Sequence, residues 1–189
     1  MSLETSIYKP DDLPPLVRYQ ILSFLRVWDT EGFVGRGHGR RWIGRPEFNP
    51  VHVVLMDDDF LVAHTEVVSM NWQHVGIDYQ AYGISSVFVY PDYRNMGHGL
   101  RIVQSATEYI LQQPDADIGM FWCAPELRGF YLHTGWEHIE GAVTMLGDTR
   151  EQAQLHDEEI LFMRYFSPKG QQHRGDFQTS PVFFGWTTW

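Results

Sequence analysis

The stretch Ile-Ser-Ser-Val-Phe-Val-Tyr-Pro-Asp-Tyr-Arg-Asn-Met-Gly-His-Gly-Leu, residues 84–100, decides the architecture. Its first half is β-branched and aromatic, and predicts a strand over about 80–90 that stops at Pro91, which cannot donate to a ladder. Its second half sets Gly97 and Gly99 at alternate positions immediately ahead of a helical pattern over about 97–113. There Leu100, Val103, Ala106, Ile110 and Leu111 share one face, and Pro114 is the stop. Glycines so placed let the backbone turn without a Cβ clash and leave successive N–H groups pointing outward at a helix N-terminus, a place suited to a pyrophosphate. A structural turn with no ligand is spelled the same way; the strand directly before the glycines and the helix directly after them favour the binding reading.

On the N-terminal side, residues 6–9 are extended. Asp11 and Asp12 offer N-cap oxygens, Pro14 and Pro15 suit a first turn, and Leu13, Leu16, Val17, Ile21, Phe24, Leu25 and Trp28 predict an amphipathic helix ending near Trp28. Gly35-Arg36-Gly37-His38-Gly39-Arg40-Arg41 reads as a mobile basic loop, either a solvated turn or a phosphate site. Residues 51–56 and 60–69 around Asp57-Asp58-Asp59 predict a hairpin. Beyond the glycines come a fully buried strand over 118–123, a helix from Pro125 to Gly135, and strands at about 137–146 and 159–166. The tail beyond Pro168 carries Phe177, Val182, Phe183, Phe184, Trp186 and Trp189, too apolar for water, so residues 168–189 are expected to pack on a single domain spanning 1–189.

Composition narrows the function. Of 189 residues, 43% are hydrophobic and 20% charged, enough apolar surface for one sizeable core and against a disordered chain. Lys+Arg of 14 against Asp+Glu of 24 leaves a net charge of −10, which repels nucleic acid and suits a cationic ligand. No apolar run approaches the roughly 20 residues of a membrane span, and a lone Cys123 cannot form an internal disulfide. With no recognisable leader, the reading is a cytoplasmic protein. Nine histidines include no His-x-x-x-His pair on a helix and there is no Cys-x-x-Cys, so no metal is expected. Cys123, between Trp122 and Ala124, reads as an inert buried thiol, and Asp157-Glu158-Glu159 as a solvated turn that could also help attract a cationic substrate.

Two segments carry a family resemblance. Arg94, Gly97 and Gly99 match the central signature of the GNAT superfamily of acetyl-coenzyme A dependent N-acetyltransferases: Arg or Gln, two residues, Gly, one residue, Gly or Ala. Phe130-Tyr131-Leu132-His133-Thr134-Gly135-Trp136 resembles the family's late segment, in which a Tyr lies four residues before a Gly-aromatic pair. The order of elements agrees as well, so the resemblance runs from about Ser6 to Phe166 and implies an α+β fold, a mixed and mostly antiparallel sheet flanked by helices. Ala63-His64, the Tyr131 to Trp136 segment and the tail Asp176-Phe177-Gln178-Thr179-Ser180-Pro181-Val182-Phe183 look most like the aminoglycoside 2'-N-acetyltransferases and, more distantly, the nodulation-factor N-acyltransferases. Where the aminoglycoside enzymes carry a glutamate on the signature strand, this chain has Ser85.

The resemblance assigns roles. The backbone of Val87, Phe88 and Val89 would run beside the pantetheine arm and supply an oxyanion donor; Arg94, Asn95, Met96, Gly97, His98 and Gly99 would hold the pyrophosphate; Tyr131 would protonate the leaving sulfur. Tyr131 read without the Gly135-Trp136 context is a core aromatic with a satisfied hydroxyl; that context favours the acid. For the base, Glu66, His64, Asp78 and Ser85 are candidates, because a protonated amine yields its proton to many kinds of acceptor. Glu66 and His64 share one face of a strand by the period of two, whether as a catalytic pair or within a cross-strand ion pair; His64 equally reads as a half-buried sheet histidine, and Asp78 as a turn residue. The implied activity is acetyl transfer from acetyl-coenzyme A to a primary amine of a small cationic acceptor, in a chain that could form a homodimer. A longer-chain N-acyltransferase with the tail lining an acyl groove, a non-catalytic coenzyme A-binding module, and a structural protein whose glycines serve only a turn are the alternatives.

Overall fold

The computed structural model describes residues 3–30, 33–34 and 43–185; the basic loop 35–41, Trp186 and Trp189 lie outside the described residues. The chain divides into two compact units, residues 1–67 with 86–106, and residues 68–85 with 107–189. The fold is α+β, a mixed and mostly antiparallel sheet flanked by helices.

In the first unit, β1 (Leu3–Tyr8) is followed by α1 (Pro15–Trp28), β2 (Val51–Asp57) and the opening of β3 (Phe60–His74). Pro14 takes the N-cap position of α1 and gives no side-chain bond, so the predicted Asp11 and Asp12 caps do not form. The physical reason is local: the Asp12 N–H donates to Lys9 O in a separate turn, and the prolines preset the first helical φ angles instead. β1 pairs antiparallel with β2, and β2 with β3 around the aspartate turn, where Asp58 has φ 50. α1 buries Val17, Ile21, Leu22, Phe24 and Leu25, and the unit's core joins them to Val54, Leu61 and Phe88. Phe24 stacks on Phe88 with ring centroids 3.9 Å apart. Each such side chain fully removed from water contributes about 1.5–3 kcal/mol.

β4 (Ile77–Val89) begins in the second unit, after a hairpin turn at Val75 and Gly76, and ends in the first; α2 (His98–Leu111) comes after it. Asp78, expected in a turn, lies inside β4, because that strand starts three residues earlier than its composition indicated. The second unit continues with β5 (Ile118–Cys123), α3 (Arg128–Leu132), β6 (Glu137–His138), β7 (Thr144–Leu146), β8 (Gln154–His156), β9 (Ile160–Tyr165), α4 (Pro168–Gln172), α5 (Asp176–Thr179) and β10 (Val182–Phe184). β5 runs antiparallel to β9 over six pairs, and β9 to β6. The strand predicted over 137–146 is two strands in two sheets. A turn with Gly141 at φ 77 ends β6, and β7 pairs instead with β8 and with β10. The helix predicted from Pro125 is a 3-10 turn, Pro125–Leu127, leading into the five residues of α3.

The second unit's core gathers Trp72, Tyr79, Met120, Trp122, Leu161 and Met163 with Phe177, Val182 and Phe184 of the tail. Its indoles are satisfied: Trp72 Nε1 donates to Phe183 O, Trp122 Nε1 to Thr144 Oγ1 and Trp136 Nε1 to Thr107 Oγ1, at 2.9 to 3.1 Å. No helix among the described residues is long and apolar enough to cross a membrane.

Candidate active site

β4 is not a regular strand. Ser86, near its C-terminal end, has φ 52, a left-handed residue inside an extended segment, which bends the strand and re-aims residues 87–89. Earlier in β4 the parallel ladder with β5 covers two pairs, Ala81↔Ile118 and Tyr82↔Gly119, and stops there, although β5 continues to Cys123. Ser85 is half-buried just before the left-handed residue. Beyond it, Phe88 turns its side chain into the core of the first unit, while Val87 and Val89 stay partly exposed. Only the backbone of Phe88 is therefore available to a ligand.

The loop after β4 presents amides. Arg94 N–H is taken by Pro91 O at 3.2 Å, and the Arg94 side chain is tied down as well, with Nε donating to Val89 O at 3.1 Å and its guanidinium 5.6 Å from the centre of the Trp28 ring. The next five amides, of Asn95, Met96, Gly97, His98 and Gly99, make no hydrogen bond to another group among the described residues. Asn95 at φ 62 and Gly97 at φ 83 produce this row, since two left-handed residues so close together fold the N–H groups outward ahead of α2. A Cβ on Gly97 would meet nothing within 4 Å, so the space beside it is open. Below, Arg101 anchors the first turn of α2, its N–H donating to Gly97 O and its guanidinium to Leu3 O and Thr5 Oγ1. Free amides at the positive end of a 14-residue helix are an arrangement whose partial charges suit an anion.

His64 and Glu66 share a face of β3, as the period of two requires, and the structure adds a third member. The β2–β3 register puts His52 opposite Glu66 and Val54 opposite His64, so His52 faces both polar side chains. His52 Nδ1 lies 3.3 Å from His64 Nε2 and 3.4 Å from Glu66 Oε1; on the other side of its ring, His64 Nδ1 lies 3.2 Å from Ser86 O. All three are buried, His64 completely. Burial, helped by the nearby Arg18 guanidinium, lowers the His52 pKa to about 4, and burial together with His52 drives His64 well below the ordinary imidazole value. Both rings are thus neutral near pH 7. The 3.4 Å approach to Glu66 is a polar contact, not an ion pair. Sequence reasoning missed His52; its signal was alternation with Val51 and Val53 in a strand, which register alone converts into a partner.

In the second unit, Tyr131 sits on α3, 5% exposed, against the rings of Phe121, Phe130 and Phe162 at 4.6 to 5.6 Å. Burial first, and the Cys123 thiol second, push its hydroxyl well above the usual tyrosine range, so it stays a phenol able to donate a proton. Burial, with Glu159 and Glu126 adding to it, also pushes the Cys123 thiol up to about 12, which leaves it without nucleophilic character near neutrality. Asp78 accepts from Gln73 Nε2 at 2.8 Å on the surface of the β3–β4 hairpin, a structural contact.

The sequence matches the family model described as Acetyltransferase (GNAT) domain over residues 8–139. Solved structures share the fold at low identity. ElaA of Escherichia coli is 16% identical with a TM-score of 0.59, covering 86% of this chain and 99% of its own. An aminoglycoside 6'-N-acetyltransferase complexed with coenzyme A is 14% identical with a TM-score of 0.59, covering 86% and 98%. An acyl-CoA N-acyltransferase from Pseudomonas aeruginosa is 20% identical with a TM-score of 0.57, covering 86% and 99%. No curated protein matches the sequence. The signature at Arg94, Gly97 and Gly99, the interrupted β4 and a family match over most of the chain together make this an acyltransferase belonging to the GNAT family.

Proposed function

We propose that the protein moves an acetyl group from acetyl-coenzyme A directly to a primary amine of a small cationic acceptor, of the amino-sugar or aminoglycoside kind. The observation that carries this reading is the row of amides from Asn95 to Gly99, open to solvent and unused by the fold, at the N-terminus of α2. A diphosphate supplies the acceptor oxygens those amides lack, and its charge is stabilised by the helix dipole.

The chemistry then needs three further things. A backbone N–H among Val87, Phe88 and Val89 polarises the thioester carbonyl as the amine attacks and holds the oxyanion of the tetrahedral intermediate. As the C–S bond breaks, the Tyr131 hydroxyl gives its proton to the departing thiolate. The proton lost by the amine passes to a water and on to solvent; the burial of His64 and Glu66 keeps them from touching the acceptor, and Ser85 is the better-exposed group to orient that water. The net charge of −10 favours encounter with a cation. Phe177, Val182 and Phe184 of the tail are consumed in the second unit's core, which favours a short acyl donor over one needing an aromatic groove.

The test is thiol release at saturating acetyl-coenzyme A across amino sugars, aminoglycosides and polyamines, with a longer acyl-coenzyme A in parallel. Release with a cationic amine, faster for acetyl, supports the reading. Coenzyme A binding without release for any amine would replace it with a non-catalytic module. Failure of coenzyme A to raise the melting temperature would remove the cradle itself.

A further inference from the structure

The trio on β2 and β3 has a geometry that acyl transfer does not require. We propose that His52 Nδ1, His64 Nε2 and Glu66 Oε1 form a site for one first-row divalent metal ion of the zinc class, with three protein donors and an open fourth position.

Four observations carry it. First, the spacing: the three donor atoms lie within 4.8 Å of one another, with His52 Nδ1 3.3 Å from His64 Nε2 and 3.4 Å from Glu66 Oε1. A tetrahedral ion bound at roughly 2.0–2.1 Å holds its ligands about 3.3–3.4 Å apart, so those two edges already have the right length. Second, the outer contact of His64: its Nδ1–H donates to Ser86 O at 3.2 Å, which fixes the tautomer and leaves the Nε2 lone pair directed at His52 Nδ1. Third, the support: the donors project from two hydrogen-bonded strands in set register, and the Gly44 backbone closes over the carboxylate. A Cβ at Gly44 would come within 2.5 Å of Glu66 Oε1, so only glycine permits this approach. Fourth, access: His52 forms part of the wall of a recess of about 290 Å³, shared with Asp11, Arg18, Gly44 and Pro46, which gives an ion a route to the trio.

Two neutral imidazoles and a carboxylate suit Zn²⁺, Co²⁺ or Ni²⁺ rather than Ca²⁺ or Mg²⁺, which prefer all-oxygen shells. On binding, His52 adopts the Nε2–H tautomer and the ion replaces the proton that Nδ1 otherwise donates to His64 Nε2. The ion then clamps β2 to β3 and, through His64, to the carbonyl of the left-handed Ser86.

The experiment uses the full chain, stripped with a chelator and titrated with Zn²⁺ by calorimetry. One equivalent is expected to bind. Glu66→Gln and His52→Asn should each weaken binding at least tenfold, and Gly44→Ala should weaken it by displacing the carboxylate. His156→Ala and His173→Ala, which remove two partly buried histidine–carboxylate pairs elsewhere in the chain, should leave it unchanged. Circular dichroism of the metal-free variants checks that they fold. Should the trio variants fail to fold, the wild-type protein loaded with Co²⁺ decides: the visible bands of a four-coordinate ion, with two imidazoles seen by X-ray absorption, support the site. Absence of stoichiometric binding, binding indifferent to the trio variants, binding lost with His156 or His173, or an octahedral cobalt spectrum would each overturn it, leaving a hydrogen-bonded histidine pair beside a buried carboxylate only.

Discussion

β2 and the opening of β3 turn two histidines and a glutamate into the interior of the first unit, whereas β5 and β9 in the second unit bury an unbroken run of Met120, Phe121, Trp122, Leu161, Phe162 and Met163. The second arrangement is tolerant in kind: β5 is covered on both faces, so any register would bury something apolar, and shape decides only the last few kcal/mol. The first is intolerant. A one-residue slip of β3 would carry His64 and Glu66 to the opposite face and leave His52 without its partners. Apolar burial thus makes a unit stable, while polar burial makes a particular register matter.

Four measurements bear on that contrast. The largest expected effect is on the apolar side. Phe162→Ala, which removes a ring stacked on Phe121 and packed on Tyr131, should cost about 3–5 kcal/mol in denaturant unfolding. A loss below about 1 kcal/mol would mean the second core can collapse around the gap.

Next comes a change that should separate chemistry from packing. Tyr131→Phe keeps the ring and removes the hydroxyl, so kcat should fall about a hundredfold, the low end for a lost general acid, while stability moves little. Equal kcat in the two proteins would return Tyr131 to the role of a core aromatic. In the first unit, Gly97→Ala forces a side chain into a left-handed conformation at φ 83, costing about 1–2 kcal/mol. Coenzyme A affinity measured by calorimetry should drop about tenfold as the amide row shifts, a change of roughly 1.4 kcal/mol.

The smallest effect concerns acid. Burial alone would raise the Asp117 pKa, but Lys169 at 2.5 Å, the Gln80 amide and the Ser167 hydroxyl outweigh it and hold the carboxyl below its ordinary value. A folded pKa below the unfolded one means this stabilisation is fully present above the unfolded carboxylate value and fades as pH falls through the folded one. Asp117→Asn should cost about 1 kcal/mol at neutral pH and flatten the acid limb of the stability curve. An unchanged acid limb would show that these contacts do not hold the proton off.

Much of the fold was legible where one residue type has one local meaning. Pro91 ended β4 within two residues, the apolar run 118–123 is β5, and Gly97 takes the positive φ that the signature implied. Legibility failed where partners compete. Residues 137–146 look like one strand, but β9 claims their beginning and β8 with β10 their end, and a left-handed Gly141 lies between. The same holds for the buried trio, where His64 and Glu66 were visible on one face of β3 by the period of two and His52, supplied by the register of β2, was not.

The order of elements, the glycine turn that frees a row of amides, and the residues of β3 that share a face were all set by the amino-acid sequence, because each depends on steric preferences within a few neighbouring residues. Three-dimensional packing was needed to bring His52 to His64 and Glu66, to put Ser86 in a left-handed conformation with its carbonyl tied to His64, and to spend the tail's aromatics in a core. Those outcomes depend on which strands pair and in what register, and that choice is set by the burial free energy summed over groups far apart in the chain.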